Sequence, residues 1–575
     1  MSTNVLPFVW ENVINDHKGG YDNGALKKLL SKELAAEAEK SPHLMDYLHR
    51  VPIALVGVPE YYPEVSRKLG ELEHPNLIYP LGDNMYIHIY PDLEDPRNYY
   101  LAIEPPVGTE ADRMLGEVER RLLDYVDVLA LAQTKEEQIE ALIKAIEMTC
   151  VVKEHSQSGG DGEKKKTKGG ERRVPVTARE LDVLKYIILR DKIGMGALDP
   201  LIRDPNIEDI SCSGLGPIFV EHKVFKGLKS SIVFHTHETL DDFVLRMSEN
   251  IKKPVTFKNP IVDAALPDGS RINIVYGGEV SKRGSNFTIR KFTETPLSIL
   301  DLCSFGALDY KMAAYLAITV GEGMNLWVSG ETASGKTTLL NAITTFIRPD
   351  AKIVTIEDTP ELQVPHMNWI REIVRMGSEA IKGASVDMFG LLKASLRQRP
   401  NAILIGEIRG EEGAVAFQAM QTGHQVMSTF HASTVEKLIQ RVTGNPINVP
   451  KPYMDNLNLV IICSAVRLPS GKNGRRILSI NEIIGYDLST DSFSFVEVFR
   501  WNPAEDVFEF TGNMNSFLLE NRVAPRRGLT QKNKRQIYAE LDKRAAVLER
   551  LHSQGMTNFH DLYQLLAKAQ REGLF

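Results

Sequence analysis

GETASGKTT, residues 330–338, is the stretch on which the reading of this chain turns. Gly330, Gly335, Lys336 and Thr337 stand in the register G-x-x-x-x-G-K-[ST], after an apolar strand pattern at residues 324–328 and before an apolar-periodic helix pattern at 337–347. The glycines allow a close backbone approach that a Cβ would hinder, so successive N–H groups of Gly330, Glu331, Thr332, Ala333, Ser334 and Gly335 can converge on phosphate oxygens. The following helix, which opens through Lys336, Thr337 and Thr338, adds the positive end of its dipole. Lys336 is expected to meet the β and γ phosphates of ATP as a point charge, and the Thr337 hydroxyl to bind Mg²⁺, which prefers hard oxygen ligands.

Working outward, residues 314–486 alternate helical patterns with apolar strand patterns at 325–329, 352–356, 402–405, 425–429 and 459–466. Such alternation predicts an α/β fold with a mostly parallel sheet, and the phosphate loop lies at the carboxyl end of its first strand, where such sheets bind ligands. Two further acidic clusters close strands of the same sheet. KIVTIEDTPEL places Glu357, Asp358 and Glu361 after one strand, and AILIGEIRG places Glu407 after another. A phosphate-loop ATPase needs one carboxylate near Mg²⁺ and another to orient the attacking water, so Thr337, Glu407 and Glu357 are the candidate metal ligands, direct or through water. In GHQVMSTFHAS, His424 and His431 are an odd number apart, so on one strand they face opposite sides and do not share a metal. His431, at the strand end, is the candidate γ-phosphate contact; His424 reads as structural.

The rest of the chain reads as accessory domains. Residues 1–152 carry 14 Lys/Arg against 26 Asp/Glu, an acidic region with helical patterns at 23–38 and 110–147, and with tyrosines that read as core. Residues 153–176 are rich in Gly, Ser and Lys and read as a flexible linker. Residues 177–296 read as a small α+β domain containing LPDGSRIN and FTIRKF, two strands at 271–276 and 286–292 joined by a Gly-rich hairpin loop. Residues 297–500 form the expected nucleotide domain and 501–575 a helical extension.

Composition excludes several classes. A net charge of −7 over 575 residues argues against a general nucleic-acid coat, and Cys150, Cys212, Cys303 and Cys463 are scattered without a CxxC pair. There is no basic start followed by an apolar signal region, and no apolar run approaches the about 18 residues needed to span a bilayer. A cytoplasmic protein that meets the membrane only through a partner is expected.

GETASGKTT, TIEDTPEL, LIGEIRG and TGHQVMSTFHAS, in that order, resemble the phosphate loop, Asp box, Walker B motif and His box of type II/type IV secretion ATPases, the hexameric motors of secretion, pilus and archaellum machines. The resemblance covers about residues 177–490. It implies a RecA-like ATPase domain, Glu361 as the water-activating acid, Glu407 as the Walker B acid and His431 as the His-box histidine. It further implies that Arg271 and Arg290 are arginines that the preceding domain brings over the nucleotide, an arrangement that suits a fixed planar cation. The sequence departs from the pattern in two places. Thr359 stands where bacterial members usually carry proline, with Pro360 one position later, and their four-cysteine zinc subdomain is missing. Residues 41–69, SPHLMDYLHRVPIALVGVPEYYPEVSRKL, look like the archaellum motor ATPase. The partners so implied are further copies in a homo-hexamer, a polytopic membrane platform protein and other archaellum components, with no nucleic acid. A pilus-assembly or secretion ATPase is the alternative within the family; a nucleotide-gated scaffold is the alternative outside enzymes.

Overall fold

A computed structural model describes residues 3–4, 6–8, 23–105, 109–129, 131–132, 134–152, 173–266, 268–292, 295–375 and 386–575. Most of the expected linker, 153–172, lies outside the described residues. The chain forms two compact units, Met1–Phe292 and Thr293–Phe575.

The second unit is built on a nine-stranded sheet, in the order Trp369–Ile373, Ile353–Glu357, Ala402–Ile405, Gln425–Phe430, Leu326–Gly330, Leu459–Arg467, Asn473–Asp487, Ser492–Asn502, Val507–Glu509. The first six strands pair in parallel and the last three antiparallel. Side chains on the central strands alternate between two cores. Leu326, Val328, Leu404, Met427 and Ile461 face one, with the helix Tyr310–Gly321 and the C-terminal helices Gln536–Ser553 and Phe559–Arg571. Trp327, Ile403, Ile405, Val426 and Val460 face the other, with Phe417 and Leu438. Burial on both faces is why these strands read as continuous apolar runs, each large apolar side chain contributing about 1.5–3 kcal/mol.

Four strands fall where the sequence pattern puts them to within a residue, and the fifth runs from Leu459 as expected. The strand Trp369–Ile373 and the antiparallel arm were not anticipated. That arm is only partly buried, and Arg475, Arg476, Glu482, Glu497 and Arg500 interrupt its apolar residues. The helical extension expected at 501–575 begins instead with strand residues, and it belongs to the same compact unit as the nucleotide domain. Glu482, fully buried in the sheet, accepts hydrogen bonds from Tyr315 (2.5 Å), Ser516 (2.5 Å) and the Leu518 N–H (3.1 Å), fastening the extension to the core.

The first unit carries strands from both 1–152 and 177–296 in one sheet. Its eleven-stranded sheet runs Ile261–Ala265, Arg271–Val275, Asn286–Arg290, Ile207–Cys212, Gly216–His222, Lys226–Phe234, Tyr99–Ile103, Met85–Tyr90, Leu77–Gly82, Glu60–Tyr61, with Thr3–Asn4 on Lys226–Phe234. Lys229 and Ser230 pair in parallel with Tyr99 and Tyr100, so the two segments share one sheet. Pairing across more than a hundred residues leaves no local mark in sequence. The helix expected over 23–38 is two, Asn23–Leu29 and Lys32–Lys40, because Ser31 accepts the Leu34 N–H as an N-cap. The pattern over 110–147 is broken likewise by the capping box of Thr134 and Glu137, which opens Lys135–Thr149. Tyr86, Tyr90 and Tyr100 are buried, while Tyr61, Tyr62 and Tyr99 are half-buried.

Candidate nucleotide site

The phosphate loop leaves the central strand at Gly330 and enters the helix Lys336–Ile343 through Gly335, which has φ +90°. A Cβ at Gly330 would lie 2.1 Å from the Cys463 carbonyl oxygen of the neighbouring strand, so only glycine lets the backbone turn this close. Ala333 takes φ +60°, and buried Ser334 donates its hydroxyl to the Glu331 carbonyl at 2.7 Å. Glu331 and Thr332 are exposed; Thr337 and Thr338 are half-buried in the first helical turn.

Lys336 is largely buried and donates to the Gly330 (3.1 Å) and Glu331 (2.8 Å) carbonyls. Burial pulls its ammonium below the ordinary lysine range, against the charges of Glu407 and Glu361. It lies 3.5 Å from His431 Nδ1; His431 Nε2 lies 2.9 Å from Glu407, and Glu407's second oxygen accepts from Arg409 at 2.6 Å. Lys336, His431 and Glu407 therefore form one chain of contacts. Burial raises the Glu407 carboxyl, but the Arg409 hydrogen bond and the charges of Arg409, His431 and Lys336 outweigh it and hold the group below the usual carboxylate range. His431 is itself pulled down by burial and by the nearby Lys336, Arg409 and Arg441, against Glu407. Arg441 donates to the His431 carbonyl and lies over the Phe430 ring, which fixes this strand end. His424 is held by Thr422 at 3.0 Å.

The Asp box separates two acids that look alike in sequence. Glu357 is 1% exposed; one oxygen accepts the Glu361 (2.8 Å) and Leu362 (2.7 Å) N–H groups, and the other has no hydrogen-bond partner, with Arg371 3.7 Å away. Burial pushes its carboxyl up to about 7. Glu357 thus shapes the turn that presents half-buried Glu361, and Asn341, on the helix after the phosphate loop, latches that turn by bonds to the Glu361 carbonyl and the Gln363 N–H. Asp358 is exposed.

Arg271 and Arg290 belong to the first unit. They are register partners on adjacent antiparallel strands, and Arg271 makes a two-pronged pair with Asp263 at 3.1 and 2.5 Å. Arg409, Arg441 and Arg475 were missed in the sequence. Arg409 stands two residues after Glu407, a signal that was available; Arg475, which donates to the Ala333 carbonyl at 2.9 Å, comes from the unanticipated antiparallel arm. A cavity of about 530 Å³ beside the loop is lined by Gly330, Thr332, His431, Lys437 and Arg441 among others.

Residues 191–467 match the family model described as type II/IV secretion system protein. An uncharacterized protein of Methanocaldococcus jannaschii is 40% identical over 544 residues, covering 94% of this chain and 97% of that protein. The chain belongs to the type II/IV secretion system protein family. It is an ATPase. The type IV secretion system protein VirB11 of Bartonella henselae is 31% identical over 226 residues, 33% of this chain and 63% of that protein. The ATPase DotB of Legionella pneumophila, a solved structure, shares 18% identity over 64% of this chain and 92% of its own, with a TM-score of 0.37.

In this secretion-family ATPase the donor set suits a magnesium nucleotide. Gly330 and Gly335 let the loop turn in conformations that side chains disfavour, and the hard oxygen donors are Thr337 in the helix after the loop, Glu407 after its own strand, and the buried Glu357 oxygen without a hydrogen-bond partner. Among the described residues no group of three or more His, Cys, Asp or Glu side chains forms a metal cage; Mg²⁺ in phosphate sites typically takes only one or two carboxylates. All four cysteines are free, three of them buried. No helix among the described residues is long and apolar enough to cross a membrane.

Proposed function

We propose that this ATPase is a ring-forming motor that hydrolyses Mg·ATP to drive an archaellum through a membrane platform protein. The observation that carries the chemistry is the contact chain Lys336–His431–Glu407–Arg409, with Glu361 presented beside it. Lys336 and the loop N–H groups bind the phosphates; Thr337, Glu407 and Glu357 would hold a magnesium ion, which would neutralise charge on the phosphates. Glu361 is the water-activating base. Its backbone is fixed by Glu357 and Asn341 while the residue is only half-buried, whereas Glu357 is sealed in with one oxygen bonded to the turn and the other left for the metal. His431 links the lysine to the Walker B acid, so loss of a phosphate charge at the loop is felt at Glu407. For Arg271 and Arg290 a role toward the nucleotide rests on the resemblance of their motifs, LPDGSRIN and FTIRKF, alone.

The resemblance of residues 41–69 supports the archaellum. A relative from an archaeon that matches along nearly the whole chain agrees with a machine of that domain of life. The working form is a homo-hexamer at the inner face of the cell membrane. Turnover is tested by phosphate release: Lys336→Ala is expected to abolish it, and Glu361→Gln to keep nucleotide binding while stopping hydrolysis. Ordinary turnover in purified Glu361→Gln protein overturns the base assignment. Co-purification of a polytopic membrane protein with archaellum rather than pilus components tests the machine.

A further inference from the structure

Arg475 sits on the phosphate loop from the side opposite the acids. In the sheet, the phosphate-loop strand Leu326–Gly330 has Gln425–Phe430, which leads into His431, on one flank, and Leu459–Arg467 followed by Asn473–Asp487 on the other. Glu407, His431 and the Asp box belong to the first flank; Arg475 comes from the second. Its Nε donates to the carbonyl of Ala333, the loop residue with φ +60°, and its Cδ lies 3.4 Å from where a Cβ on Gly335 would stand. One of five guanidinium N–H donors is used in this way. Among the described residues the terminal nitrogens have no hydrogen-bond or ion-pair partner, and the side chain is exposed.

The reach of Arg475 is fixed by its neighbour. Arg476 is 6% exposed and makes a two-pronged pair with Asp506 at 2.7 and 2.7 Å, and a bond to the Phe305 carbonyl at 3.1 Å. Alternation along the strand then turns Arg475 to the other face, toward the loop. A positioned planar cation beside an anion-binding loop, without a carboxylate to neutralise it, is a donor set for phosphate.

We propose that Arg475 is a nucleotide-binding residue that grips the diphosphate part of the nucleotide from the flank opposite the acids; this rests on the proposed reading of the loop as the ATP site. Hydrolysis directs the γ-phosphate toward the acids, so a cation on the other flank holds what ADP and ATP have in common. Arg475 therefore acts on affinity for both nucleotides and little on the chemical step.

The test compares full-chain wild type, Arg475→Ala, Arg475→Lys and Lys336→Ala by titration calorimetry with Mg·ADP and by steady-state phosphate release. Loss of a hydrogen-bonded charge predicts about 10- to 100-fold weaker ADP binding and a comparable rise in KM for Arg475→Ala, with kcat within about twofold. Arg475→Lys recovers part of the ADP affinity, since it keeps the charge and loses the fork. A brace for the loop alone predicts the opposite split, a fall in kcat with ADP affinity unchanged, and that result overturns the proposal. If Lys336→Ala also binds ADP like wild type, the reading of the loop itself has failed, which separates the two conclusions.

Discussion

The Glu357→Gln substitution gives a pH-dependent stability change whose size follows from burial. In the unfolded chain this carboxyl ionises near 4.5; in the folded unit burial moves it to about 7. Between those values the folded state holds one proton more than the unfolded state, so the wild-type stability falls as pH rises through the window and is level above it. The shift of about 2.5 units corresponds to roughly 3 kcal/mol at 1.36 kcal/mol per unit. Gln is nearly isosteric: its amide oxygen still accepts the Glu361 and Leu362 N–H groups, and its NH₂ replaces the oxygen that has no hydrogen-bond partner. Any fixed packing difference is the same at every pH and cancels. The expected result is that the variant gains about 3 kcal/mol relative to wild type between pH 4.5 and 8. The assay is urea unfolding of both proteins at several pH values, with EDTA present and nucleotide absent. A wild-type minus variant difference that stays flat across the window would falsify the argument, as would a change of the opposite sign.

Gly330→Ala sets a Cβ 2.1 Å from a backbone oxygen that belongs to the sheet. A loss of about 1–3 kcal/mol or more by thermal unfolding and loss of Mg·ATP binding are expected, and a variant of unchanged stability refutes the close approach. Arg409→Ala removes a 2.6 Å hydrogen bond and a positive charge from Glu407, whose carboxyl then ionises at higher pH. The acid limb of the ATPase pH–rate profile is expected to move upward; an unmoved limb dissociates Glu407 from that titration. Glu482→Ala strips three buried donors of their acceptor and is expected to destabilise the second unit by about 3–5 kcal/mol, read by denaturant unfolding. Early proteolytic release of residues 510–575 would accompany it, and its absence argues against Glu482 as the fastening point.

The chemistry of this protein is local, and the sequence determines it. A glycine whose Cβ would collide with a carbonyl, a lysine at the start of a helix and acids at the ends of buried strands stand within short motifs, so GETASGKTT, TIEDTPEL, LIGEIRG and TGHQVMSTFHAS name their own positions. The strands that carry them are buried on both faces, and their continuous apolar runs mark them equally well. The parts that were not legible are those made by contacts between distant segments. Burial of Glu357 and Glu361 is not written in the sequence; only the packed sheet seals one and leaves the other half-buried. The parallel pairing of Tyr99 and Tyr100 with Lys229 and Ser230, which joins regions that differ in composition, is likewise invisible in the sequence. Arg475 shows the limit most plainly. In GRR it is one of two adjacent arginines, and alternation along an antiparallel arm buries Arg476 against Asp506 while setting Arg475 on the phosphate loop. The sequence determines which residue types can perform the chemistry; tertiary structure decides which copy of each is placed to do so, because burial and proximity are properties of the packed chain.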